Sequence, residues 1–193
     1  MLHNKYFWIL EQFLGECDKE VYGRQLAKKL PMSQKAIALS LDELEKEGIL
    51  TSRAEGNMKY FRLNTKNTEL RDILIMAELT KKVNFMRKHR TLANIFRRDE
   101  RIVGIFGSYA RGEEHKASDI DLFIIGGKSG DDYSRKAKSF DLDVSIKYFS
   151  ESEFRTLLKN KNNLGKEMVK AHVMVFGAEK FISLVWRDFY GFD

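Results

Sequence analysis

The chain has 193 residues, a single cysteine and a net charge of +6 at neutral pH. Its length allows one large domain or two small ones, each with a hydrophobic core of its own. No apolar run reaches the roughly 18 to 20 residues that cross a bilayer, and the N-terminus lacks a signal-peptide pattern. We therefore expect no membrane segment. Because Cys17 has no partner for an internal disulfide, we also expect a cytoplasmic protein.

The positive charge is concentrated in one segment. Residues 1–65 hold ten Lys/Arg and nine Asp/Glu, and residues 101–193 hold fifteen and fourteen. Residues 66–100 hold nine against five, and within them 81–98 holds seven basic residues and no acid. A basic excess favours contact with nucleic acid, yet neither flanking domain is strongly basic. The 81–98 cluster is therefore either a solvated helix face or a contact surface for nucleic acid or substrate.

The N-terminal third predicts helices followed by a hairpin. Apolar positions recur at helical spacing up to about Glu16, and a second short helix spans 23–30. Ser33 has the position of an N-cap for a third helix, which stops at Gly48. Two alternating segments around Gly56 then predict the hairpin.

From Gly23 to Asn64 this order of elements resembles the winged-helix regulators of the ArsR and MarR type, including the stretch LDELEKEGIL before the hairpin. The resemblance implies a winged helix-turn-helix domain over 1–65. In such domains the third helix reads bases and the hairpin contacts phosphates. The candidate DNA-binding residues are Ser33, Gln34, Lys35, Arg53, Lys59 and Arg62.

Two residues argue against strong DNA binding by this domain alone. Leu39 and Asp42 occupy places where DNA-binding relatives often carry Arg or Lys. A homodimer would double the contacts and recruit the 81–98 cluster, so an operator in DNA remains a candidate partner. The alternative is a helical bundle with a hairpin that dimerises or docks a partner protein.

Beyond the front domain, the pattern changes twice. Residues 66–99 contain no proline or glycine and keep a three-to-four-residue apolar rhythm, which predicts a helical linker. Residues 100–193 then alternate short strands with helices, and together with the helices and hairpin of the N-terminal third this leads us to expect an α+β fold class for the chain.

A candidate phosphate-binding turn and two acidic residues lie close together in the sequence of residues 100–193. Gly107 and Ser108 follow a buried strand and open a helix, where backbone N–H groups and the serine hydroxyl donate to a phosphate. Asp119 and Asp121 are two apart in the next strand, so their carboxylates share one face within reach of shared divalent ions. Two cations held this way clamp a nucleoside triphosphate.

Ten residues separate Ser108 from Asp119, and the resulting GS-x10-DxD arrangement is more specific than either of its parts. Over about 100–185 the chain resembles the nucleotidyltransferase superfamily of DNA polymerase beta, and more closely its minimal nucleotidyltransferase branch. The resemblance implies a mixed sheet flanked by helices. It also implies that Gly107 and Ser108 bind the triphosphate while Asp119 and Asp121 bind Mg²⁺, with two ions expected.

The family pattern includes a third carboxylate from a neighbouring strand. Asp141 and Asp143 share a face, so either satisfies the geometry, but Asp143 is followed by apolar strand residues and then by SESEF (150–154), as in the family. We favour Asp143 over Asp141 as metal ligand and general base. Arg111 is a candidate phosphate contact, with an ion pair to a neighbouring glutamate as the alternative.

The resemblance implies transfer of a nucleoside monophosphate from an NTP, with ATP expected, to a hydroxyl acceptor and release of pyrophosphate. The acceptor is a protein, a small molecule or an RNA end. Minimal nucleotidyltransferases are partners of HEPN-type toxins, so a toxin is one protein acceptor by analogy. The alternative function is a winged-helix transcriptional regulator whose nucleotidyltransferase domain senses NTP or is inactive.

Overall fold

The computed structural model describes residues 4–115, 118–128 and 132–192. The chain divides into two compact units, Met1–Ala77 and Glu78–Asp193. The division falls inside a long helix, within the segment predicted as a linker. Within the described residues, no helix is both long enough and apolar enough to cross a membrane.

The first unit combines three helices with a three-stranded antiparallel sheet of order β1-β3-β2. The predicted third helix and hairpin are present, whereas the first helix ends at Leu10 rather than near Glu16, and the second ends at Ala27 rather than at residue 30. The strand β1 escaped prediction because two residues carry no periodicity. The elements are α1 Asn4–Leu10, β1 Val21–Tyr22, α2 Gly23–Ala27, α3 Gln34–Lys46, β2 Leu50–Glu55 and β3 Met58–Leu63.

Both ends of α3 are fixed by the residues that the sequence marks. Ser33 Oγ accepts a hydrogen bond from Ala36 N at 3.2 Å, as an N-cap does. Gly48 ends the helical path with a φ of +70°, in the left-handed region. Its carbonyl accepts from the side-chain amides of Asn64 and Asn67 at 2.8 and 3.0 Å. The buried face of α3 contributes Ile37, Leu41 and Leu44 to the core.

The second unit begins within the helix α4 and contains a four-stranded mixed sheet of order β6-β5-β4-β7. β5 pairs antiparallel with β4 and parallel with β6, and β4 pairs antiparallel with β7. The elements are α4 Leu70–Lys88, α5 Arg90–Ile95, β4 Ile102–Phe106, α6 Gly107–Arg111, β5 Ile120–Ile125, α7 Tyr133–Lys138, β6 Val144–Phe149, α8 Glu151–Lys159, α9 Asn163–Lys170, β7 Val173–Phe176 and α10 Ala178–Val185, which continues as a π-helical segment Trp186–Tyr190.

Each face of this sheet is covered by a separate hydrophobic cluster. One cluster is rich in aromatic side chains and includes Phe106, Phe123, Phe154 and Phe181. A Cβ on Gly104 would overlap the Phe123 ring, so the glycine leaves the space that this ring occupies beside β4. The other cluster is mostly aliphatic and packs α5 and α7 against the alternate residues of β4 and β5. The sheet is therefore a rigid support for residues at its strand ends.

A buried contact between two polar side chains lies at one edge of the sheet. His172 Nε2 lies 2.6 Å from Glu78 Oε1, and its Nδ1 lies 2.8 Å from the Val169 carbonyl oxygen. Both side chains of the pair are at most 2 % exposed. Both ring nitrogens of His172 are thus engaged inside the protein, which indicates a structural role.

A second polar cluster joins the start of β4 to α7. Asp99 accepts hydrogen bonds from Arg101 Nη2 and from the Tyr133 hydroxyl, both at 2.7 Å. Its side chain is 10 % exposed. These donors, Arg101 first, lower the pKa of Asp99 from its ordinary 3.8 to about 2. Because these donors stabilise only the ionised carboxylate, the contribution of Asp99 to the free energy of unfolding is present above pH 4 and disappears as the pH falls towards 2.

We expect Asp99→Asn to lower the free energy of unfolding by about 2 kcal/mol near neutral pH. The deficit relative to wild type should shrink as the pH falls from 4 to 2, because wild type then protonates Asp99. Urea unfolding followed by circular dichroism from pH 7 to pH 2 measures it. Glu100→Gln, at a side chain 89 % exposed, is the control and should match wild type. A deficit that stays constant across this pH range would contradict the prediction.

Candidate active site

The strand β5 places the two central aspartates on one face. Ile120 and Leu122 are fully buried in the aliphatic cluster, so Asp121 points to the opposite face and Asp119, two residues before it, has the same phase. Asp121 is half-buried and Asp119, just before the strand, is exposed. The DxD pair therefore has one desolvated carboxylate and one that faces water.

The turn at Gly107 lies directly against Asp121. Phe106 pairs with Asp121 between β4 and β5, so Gly107, the next residue, lies beside the Asp121 side chain. Gly107 has a φ of +69°, and a Cβ on it would overlap Asp121 Oδ2 and lie 3.2 Å from Asp121 Cγ. Glycine is required here for two reasons, its conformation and its lack of a side chain. Ser108 follows, half-buried in the first turn of α6.

The parallel strand β6 brings a third carboxylate to the same end of the sheet. Asp143 lies immediately before β6, and its carbonyl accepts from Ile120 N at 2.9 Å. Ser145 pairs with Asp121 in the parallel register. Asp143 precedes Ser145 by two residues, so it lies on the same face of the sheet as Asp121. Asp141 lies in the preceding turn, with a φ of +55°. This geometry favours Asp143 over Asp141, and the assignment as metal ligand stays a prediction.

Charges around Asp121 reveal two residues that sequence reasoning missed. Burial raises the pKa of Asp121, the charges of Glu167 and Asp119 raise it further, and Lys147 and Arg111 act in the opposite direction. Lys147 lies on β6, two residues after Ser145 and four after Asp143. The two-residue period of a strand therefore indicates that Lys147 shares their face. Glu167 lies on α9, 46 positions after Asp121, and no local pattern connects the two.

Arg111, the predicted phosphate contact, forms ion pairs with two carboxylates. Its Nε donates to Glu113 Oε2 at 2.7 Å, and its Nη1 donates to Glu167 Oε1 at 3.0 Å. The pairing with Glu113 was one of the expected alternatives. Glu114 instead accepts from Lys88 at 3.0 Å.

The donor chemistry of the site fits a divalent cation. Carboxylate oxygens are the ligands that Mg²⁺ prefers. Burial, together with the charges of Glu167 and Asp119, raises the pKa of Asp121, and a bound cation would favour its ionised form. Within the part of the chain that the structure describes, no three His, Cys, Asp or Glu side chains form a metal cluster.

The candidate DNA-binding residues of the first unit differ in their availability. Arg53 forms ion pairs with Glu20 at 2.7 Å and with Glu55, and Lys59 bridges Asp42 and Glu45 at 2.8 and 2.7 Å. Arg62 Nε lies 3.4 Å from Thr51 Oγ1, and Ser33 is the helix cap. The exposed residues of the first turn of α3 are Gln34 and Lys35. Two of the predicted phosphate contacts are thus already neutralised within the unit.

We expect Gly107→Ala to disturb the site far more than Gly112→Ala, a matched control. Both glycines have a φ near +70°, so backbone strain should lower the free energy of unfolding of both variants by about 1 to 2 kcal/mol. Only at Gly107 does the new methyl group meet the Asp121 carboxylate, whereas Gly112 has open space around it. Thermal unfolding and NTP binding by titration calorimetry measure both effects. Equal loss of NTP binding in the two variants would show that contact with Asp121 is unimportant.

One comparison with known families finds a match in the second unit. Residues 90–181 match the family model described as "Polymerase beta, Nucleotidyltransferase". The range runs from α5 into α10 and includes the Gly107 turn, the DxD pair and Asp143. The comparisons found no significant match among curated proteins or solved structures. The match, which covers just under half of the chain, supports a nucleotidyltransferase of the polymerase beta superfamily in residues 90–181.

Proposed function

We propose that the second unit is a Mg²⁺-dependent enzyme that transfers a nucleoside monophosphate from an NTP to a hydroxyl acceptor. The acceptor oxygen attacks the α-phosphorus, the bond from this phosphorus to the bridging oxygen breaks, and pyrophosphate leaves. The observation that carries the proposal is the packing of the Gly107 turn against the Asp121 carboxylate. This contact joins a phosphate-binding turn to a cation-binding carboxylate within one matched family domain.

Each residue has a separate role in this proposal. Asp119, Asp121 and Asp143 hold the cations, two ions being expected. When bound there, Mg²⁺ would supply Lewis acidity that lowers the pKa of the acceptor hydroxyl and would neutralise the departing pyrophosphate. Asp143, which is exposed, accepts the hydroxyl proton.

The remaining groups bind the triphosphate. Gly107 and Ser108 offer backbone N–H groups and a hydroxyl at the start of α6, and Arg111 adds a cationic donor beside them. We propose ATP as the nucleotide. For the acceptor, a protein such as a HEPN-type toxin rests on the resemblance to minimal nucleotidyltransferases alone.

The test is incubation of the full chain with α-labelled NTPs, Mg²⁺ and a cell lysate. We expect label transfer by wild type and its loss, by 100-fold or more, in Asp119→Asn/Asp121→Asn and in Asp143→Asn (on the order of the loss of a main charge-stabilising group). Asp141→Asn is the matched control, because asparagine tolerates its left-handed backbone, and it should retain transfer. Absence of transfer with every NTP, or full transfer by the double variant, would refute the enzyme.

A second candidate function is DNA binding by the first unit as a winged-helix regulator. It is favoured by the exposed polar first turn of α3, Gln34 and Lys35, which is followed by an antiparallel hairpin. The internal ion pairs of Arg53 and Lys59 weigh against it, since a neutralised cation releases few counterions from DNA. An enzyme that also controls its own promoter satisfies both proposals.

We expect any operator binding to depend on Lys35 more than on Arg53. Gel retardation of DNA from the protein's own promoter, over a series of salt concentrations, measures it. Lys35→Ala should weaken binding about tenfold or more and flatten the salt dependence, whereas Arg53→Ala removes a side chain already held by Glu20 and Glu55. Retardation that is independent of salt, or unaffected by Lys35→Ala, would exclude this mode of binding.

A further inference from the structure

Arg111 is held by carboxylates from two different parts of the second unit. Glu113 lies in the loop after α6, and Glu167 lies on α9. The first accepts from Nε and the second from Nη1, so two edges of the planar guanidinium are fixed at once. Among the residues that the structure describes, none accepts a hydrogen bond from Nη2. Arg111 is thus oriented and still has an amino group available.

Glu167 is a firm anchor because its helix is firmly placed. The next two residues of α9, Met168 and Val169, are fully buried in the aromatic cluster. Asn162 caps the helix by accepting from Gly165 N at 2.7 Å. A Cβ on Gly165 would lie 3.0 Å from the Leu157 carbonyl oxygen, so α9 packs tightly on α8. The position of the Glu167 backbone is therefore set by the core.

The pair lies beside the proposed catalytic carboxylate. The Gly107 turn packs against Asp121, and Glu167 reaches Arg111 on the helix that follows this turn. Arg111 also belongs to the short helix that Gly107 and Ser108 begin. An ion pair on the protein surface far from any site contributes little to stability. The ion pair of Glu167 and Arg111 instead joins α9 to the helix that begins at the Gly107 turn, so it lies where it would affect nucleotide binding.

We propose that Glu167 is a positioning residue of the nucleotide site, which holds the Arg111 guanidinium so that its remaining amino group donates to the phosphates of the NTP. The proposal rests on the proposed function and deepens it. A long arginine side chain that is ordered before the ligand arrives loses less conformational freedom on binding. Without Glu167, Arg111 keeps its charge and its tether to Glu113 but loses its fixed orientation.

A double-mutant cycle tests this. The variants are Glu167→Gln, Arg111→Gln and the two combined, and titration calorimetry with Mg²⁺ measures the Kd of a non-hydrolysable NTP analogue. We expect each single variant to raise this Kd about three- to tenfold. The combined variant should be no weaker than Arg111→Gln alone, because Glu167 acts through Arg111. The affinity for the corresponding nucleoside, which has no phosphates, should stay unchanged.

The control is Glu151→Gln, which breaks the exposed ion pair of Glu151 with Arg155 at 2.6 Å in the same unit. It should bind the analogue like wild type, and thermal melting of all variants confirms that they fold. An unchanged Kd in Glu167→Gln, or additive effects in the combined variant, would overturn the role of Glu167 while the enzyme proposal stands. Failure of wild type to bind the analogue would overturn both, and binding without label transfer would count against the enzyme proposal alone.

Discussion

The close contact between the Gly107 turn and the Asp121 carboxylate is the constraint on which the candidate site depends. It arises because β4 and β5 pair with Phe106 opposite Asp121, so that one strand ends where the other presents its acid. The contact excludes any side chain at position 107 and requires a left-handed backbone there. The turn that we propose as the phosphate site and the carboxylate that we propose as a cation ligand are thereby held together by backbone pairing rather than by flexible side chains.

The electrostatics of the site follow from that contact and from the sheet beneath it. Asp121 is desolvated by its neighbours and lies near the charges of Asp119 and Glu167, while Lys147 and Arg111 compensate only part of this negative potential. A divalent cation would relieve such a potential, which is why we propose that one binds here together with a triphosphate at the adjacent turn. The aromatic cluster under Phe123 holds the strand that carries the acid. Packing, charge and proposed chemistry thus meet on one face of β5.

The sequence predicts the parts of the site that lie in local patterns. Period two in DIDLFII gave the common face of Asp119 and Asp121, and the glycine-serine pair after a buried strand gave the turn. Glu167 was missed because its proximity to Asp121 depends on how α9 packs, which no spacing encodes. The ion pairs of Arg53 and Lys59 were missed for the same reason, since their partners come from other elements. In the fold, the two-residue β1 and the polar helix α7 were too short or too polar to show a period.

A crystal structure of the full chain with Mn²⁺ and a non-hydrolysable NTP analogue tests the central claim most directly, because anomalous scattering locates the metal without assumption. We predict manganese peaks coordinated by Asp119, Asp121 and Asp143, with the triphosphate bound by the backbone at Gly107 and Ser108. Manganese bound away from these carboxylates, or a triphosphate seated elsewhere on the protein, would contradict the proposed site.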